Sequence, residues 1–154
     1  MLGPLAGRGD EAWFHAPPGK WCPGQVVDHV TNSLELSARG WRDRVGKPPM
    51  RRRPRSLKQI LFWFIVSRLG RFGPRRQAPE RTVAAEHPER AMTERRLRAA
   101  VADFQKLEQE LLPARARDLF LKHPVFGDLT FSEWWIFHRR HAAHHARQVR
   151  ERLP

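Results

Sequence analysis

The last stretch of the 154-residue chain, TFSEWWIFHRRHAAHHARQVRERL, holds His138, His141, His144 and His145 within eight positions. Thr130 and Glu133 have the spacing of a capping box, so a helix is expected from Thr130 to about Leu153. At roughly 100° per residue, Trp134, His138, His141, His145 and Gln148 return to one narrow face. Imidazoles at i and i+4 project side by side and can reach one divalent cation at about 2.0–2.1 Å, and His141 and His145 have that relation. His138 lies one turn before them, and His144 is rotated roughly 100° off the stripe. A helix rich in histidine can also be a basic solvated face, or carry a hydrogen-bonded core histidine. Four of them following Trp134, Trp135 and Phe137 favour the metal reading, but two ligands do not make a site and a third must come from another element.

The element best placed to supply it opens at WCPGQVVDHVTNSLELSARG, where Pro23 suits the first helical position and Gly40 the position past the last turn. Val26, His29, Val30, Ser33 and Leu36 or Ser37 form its inner face. His29 thus sits among apolar neighbours, where an imidazole needs a partner. Taken alone it reads as a hydrogen-bonded core histidine; beside the pair on the last helix it is the third ligand. Asn32, nearly a turn further on, could hydrogen-bond a ligand or face solvent. Gln148 and His138 would support the site or face substrate.

The remaining elements must bring these helices together. Residues 1–20 carry Gly3, Pro4, Gly7, Gly9, Pro17, Pro18 and Gly19 and read as a loosely ordered arm with at most a short turn at Asp10 to His15, ahead of a domain over 21–154. Residues 41–56 read as a basic loop ending in RRRPRS. SLKQILFWFIVSRLGRFG is a helix apolar almost all round, either buried on several sides or laid against an apolar surface. A linker from Arg71 to Ala91 follows, with His87 exposed. Thr93 is expected to cap a helix whose core stripe is Leu97, Val101, Phe104, Leu107 and Leu111. HPVFGDLT turns the chain into the last helix, with Gly127 at a tight turn. No alternating strand pattern is present, so the expected class is all-α: an antiparallel up-down four-helix bundle, its first helix short or missing, with one long basic crossover.

Length allows one domain with a real core. A net charge of +13 and a pI near 11.5 invite an anionic partner, nucleic acid or membrane. Only five of the 29 basic residues are lysine, however, and an arginine, alanine, glycine and proline bias can reflect codon usage. The single cysteine, Cys22, rules out an intrachain disulfide and fits a reducing compartment. The first residues show no apolar signal run, and Ile60 to Val66 is too short to span a bilayer. A cytoplasmic, bacterial-type protein is expected.

Two stretches, PGKWCPGQVVDHV and HPVFGDLTFSEWWIFHRRHAAHHARQ, resemble the helix-opening and terminal-helix motifs of the DinB-like superfamily, the damage-inducible-protein-B and bacillithiol-transferase-like four-helix metalloproteins. They cover roughly a quarter of the chain, in order. The resemblance implies a divalent metal (Zn, Ni, Mn or Fe) held by one early-helix histidine and an i, i+4 pair, here His29, His141 and His145, with water or a substrate thiol in the open positions. It implies a thiol S-transferase or hydrolase acting on a small substrate. The sequence departs from the family in its glycine- and proline-bearing start, in Cys22 where many relatives have serine, and in the basic apolar segment 51–81. The alternative is a non-enzymatic basic helical protein binding nucleic acid or an anionic membrane surface through 51–81, although no nucleic-acid motif is present. A homodimer covering a bundle face left bare by the short start is a third possibility.

Overall fold

In the computed structural model, which describes residues 1–73, 78–115 and 117–154, the chain is mostly helical. The helices are α1 (Asp10–Phe14), α2 (Pro23–Val45), α3 (Leu57–Leu69), α4 (Arg90–Arg115) and α5 (Phe131–Glu151). One antiparallel hairpin, β1 (Leu121–His123) and β2 (Gly127–Leu129), pairs Leu121 with Leu129 and His123 with Gly127. The helical expectation holds, and only the absence of strands is corrected: strands of three residues are too short to show a period of two. Gly127, the first residue of β2, takes φ +74° where the chain leaves the turn, a conformation few side chains tolerate.

α2 packs on both α4 and α5, while α3 packs chiefly on α5. The core between them includes Val26, Val30, Leu34, Trp41, Phe104, Leu107, Leu129, Phe131 and Val149. α2 and α5 both open with reciprocal capping boxes. Thr130 Oγ1 accepts from the Glu133 amide and Glu133 accepts from the Thr130 amide, while Cys22 Sγ accepts from the Gln25 amide at 3.4 Å and Gln25 Oε1 from the Cys22 amide at 3.0 Å.

Three boundaries differ from expectation, each because tertiary contacts outweigh local signals. α2 runs through Gly40 to Val45, because Trp41 is fully buried edge-to-face on Phe131 at 5.3 Å; Gly40 instead lets Leu121 close onto the helix. α4 starts at Arg90, because the Glu89 carboxylate accepts from the amides of Ala91 and Met92 (2.8 and 2.7 Å); Thr93 is buried one turn inside. The first twenty residues, though mostly exposed, are anchored rather than loose: Leu5 and Trp13 are buried, Trp13 Nε1 donates to Pro88 O at 2.9 Å, and Gly24 of α2 leaves room for the indole. Glycine and proline counts miss a segment held by one large aromatic anchor.

Three arginines of RRRPR are also tied down. Arg52 and Arg55 donate to the Glu133 carboxylate (2.6 and 2.8 Å) and to Asp128 O, and Arg53 clasps the buried Asp128 carboxylate. The Asp128 carboxyl is thereby held below its ordinary value, chiefly by the Arg53 hydrogen bonds. Burial pushes Glu133 up, but the bonds from Arg52, the Thr130 amide and Arg55 together hold it lower. This clamp fastens the entry of α3 to the hairpin and the first turn of α5.

Candidate metal centre

Three histidines from two helices converge between α2 and α5. The ligand-capable atoms of His29, His141 and His145 all lie within 4.8 Å of one another, and the three could hold a metal ion. Their rings make a triangle with centroid separations of 5.2, 5.0 and 4.4 Å. His29 and His141 are buried and His145 half-buried.

Hydrogen bonds on the outer nitrogens orient the inner ones. His29 Nδ1 donates to Thr82 O at 2.7 Å, and His145 Nδ1 donates to Gln148 Oε1 at 2.8 Å, so each ring turns an unprotonated Nε2 inwards. His141 Nε2 lies 2.9 Å from His145 Nε2, and His141 Nδ1 is buried with no hydrogen-bond partner among the described residues. An uncharged pair can satisfy that contact only by His141 donating, which leaves its other nitrogen an orphan lone pair. A donor set of three imidazoles whose ligand-capable nitrogens lie this close is the chemistry that suits a borderline cation.

Burial keeps the rings neutral. It lowers the pKa of His29 against the opposing effects of Thr82 and Asp28, and takes His141 well below its ordinary value with help from the neighbouring histidines. His145 is pushed down to about 3, chiefly by burial and then by His29. Neutral imidazole is the ligating form.

The other expected residues take different places. Gln148 bridges two histidines, accepting from His145 and donating through Nε2 to His144 Nε2 at 3.2 Å. His144 stacks at a tilt on Phe72, 4.9 Å between centroids. His138 makes no hydrogen bond to the cluster. It is buried among Phe104, Trp134 and Phe137 with neither ring nitrogen partnered among the described residues, and burial pushes it down to about 3. Asn32 makes no hydrogen bond to any of the three: it donates to Val83 O at 3.0 Å and accepts from Arg96 at 2.7 Å. With Asp28, which accepts from the Ala85 amide and from Arg96, it pins the segment that carries Thr82. Its contribution reaches His29 through that backbone.

Sequence reasoning missed the Thr82 carbonyl, since every residue has one and only folding selects it. It also missed the aromatic surround: Trp21 lies 5.4 Å from His29, Phe72 5.8 Å from His141, and Phe137 stacks on His141 at 5.3 Å. Of these only Phe137 was legible, four residues before His141 on the same face. Arg152 donates to Trp21 O at 2.9 Å, and its charge bears on His145. Among the described residues, no helix is long and apolar enough to cross a membrane.

No curated protein and no solved structure matches the chain. One family model, described as a protein of unknown function, matches residues 10–152, a span that takes in α1 to α5 and all three clustered histidines. The chain belongs to that family, DUF1569.

Proposed function

We propose that the chain is a divalent-metal-dependent enzyme of the DinB-like four-helix type, a thiol S-transferase or hydrolase acting on a small substrate, with zinc, nickel, manganese or iron held by His29, His141 and His145. The observation that carries the proposal is the inward convergence of neutral imidazoles, two of which are already oriented by Thr82 and Gln148. Three protein ligands leave an open position, as in catalytic rather than closed structural sites. Bound there, a divalent cation supplies Lewis acidity that lowers the pKa of a thiol or water and makes a nucleophile available at neutral pH. The chain's own residues set the conditions. Gln148 and Thr82 fix the ring tautomers, the rings of Trp21, Phe72 and Phe137 dry the surroundings, and the Arg152 guanidinium adds positive charge that favours a thiolate or other anionic substrate group. The alternative, a non-enzymatic basic protein binding nucleic acid or an anionic membrane surface, rests on segment 51–81, where Asp128 and Glu133 already answer part of the arginine charge.

Elemental analysis of protein purified without chelator tests the metal. About one metal per chain, lost in each of His29→Ala, His141→Ala and His145→Ala, is expected; none bound after incubation with zinc, nickel and manganese refutes it. Consumption of a small thiol by the loaded protein with an electrophile, absent in His141→Ala, tests the reaction.

A further inference from the structure

We infer that the outer face of α3 docks on an anionic membrane surface. The helix is apolar on two opposite sides, and the fold covers only one. Val66 is buried, Trp63 packs edge-on against Phe126 at 5.5 Å, and Phe62 and Gln59 are half-buried on the same side. Leu57, Ile60, Leu61 and Phe64 stand on the other side at i, i+3, i+4 and i+7, with exposures of 86, 50, 56 and 54%. Single exposed apolar residues need no explanation, but a stripe of four on one helix face does.

The stripe is continuous with cationic surface. Ile60 also lines an open groove of about 750 Å³ whose other walls are Arg51, Arg52, Arg53, Pro54 and Arg55. Asp128 and Glu133 answer only part of that charge, and Arg51, Lys58 and Arg68 are exposed with no carboxylate partner among the described residues. Arg68 falls in line with Leu57, Leu61 and Phe64 at the far end of the stripe.

This combination selects the occupant. A second copy docking face to face would bring the arginine-lined rims together, at a repulsive cost. A nucleic acid would satisfy the cations but leave the leucines and phenylalanine against water. An anionic bilayer satisfies both, with the apolar side chains sinking to the boundary between headgroups and acyl chains and the guanidinium groups meeting lipid phosphates. At 13 residues α3 is too short to span, so it lies flat in the interface.

The test is co-sedimentation of the full chain with vesicles of phosphatidylcholine alone and of phosphatidylcholine with an equal amount of phosphatidylglycerol. At low salt the chain should bind the anionic vesicles at least about tenfold more tightly than the neutral ones, with binding weakened by added salt. The double variant Leu61→Ser, Phe64→Ser should lose at least about tenfold of that affinity while keeping the wild-type unfolding midpoint, because both positions are exposed. Absence of binding to the anionic vesicles overturns the inference. So does a double variant that binds like wild type, which would mean charge alone acts, and so does a dimer in light scattering that the double variant dissociates.

Discussion

Replacing His138 by leucine should stabilise the protein, and more so in acid. The imidazole is buried in a pocket of Phe104, Trp134 and Phe137, and neither nitrogen has a hydrogen-bond partner among the described residues. Burying such a group unsatisfied costs about 1–3 kcal/mol, and leucine has nearly the same volume, so after some loss of ring packing a gain of about 1 kcal/mol is expected near neutral pH. The pH dependence has a definite sign. The folded-state pKa is pushed from the ordinary 6.5 down to about 3, chiefly by burial and then by His123. Between those values the unfolded chain binds a proton that the folded one does not, so wild-type stability is complete above the ordinary value and falls as the pH drops below it. At about pH 5 the loss is about 2 kcal/mol, and the variant escapes it. Its advantage should therefore grow from about 1 to about 3 kcal/mol. Urea unfolding at both pH values, with chelator present, measures the gap. A variant less stable than wild type by more than about 1 kcal/mol near neutrality, or a gap that does not widen in acid, would refute the reasoning.

Gly24→Ala should cost about 1–3 kcal/mol, because the added methyl would meet the Trp13 ring, with Cε2 at 2.6 Å; faster proteolysis before α2 and a lower unfolding midpoint would register it. Glu133→Ala removes both the α5 capping carboxylate and the partner of Arg52 and Arg55, so a loss of about 2–3 kcal/mol in denaturant unfolding is expected. Gln148→Leu strips the acceptor from His145 Nδ1 without touching a ligand-capable Nε2. Metal affinity by titration calorimetry should fall about 10–100-fold with the fold retained.

Where a signal is local, the chain declares it. The Thr130–Glu133 box sets the start of α5, and the i, i+4 spacing alone places His141 beside His145. His29 was legible as a polar residue on an apolar helix face. Gly40, Thr93 and the N-terminal glycines misled, because each signal is worth about 1 kcal/mol and was outweighed by the burial of Trp41, by the Glu89 cap and by the Trp13 anchor. The RRRPR run looked like free charge until Asp128 and Glu133, more than seventy positions away, were folded against it. Helical periodicity thus determined which histidines share a face. Only packing across α2, α5 and the segment around Thr82 decided which of their nitrogens point inwards, because a ring's orientation depends on acceptors that the chain brings close only when folded.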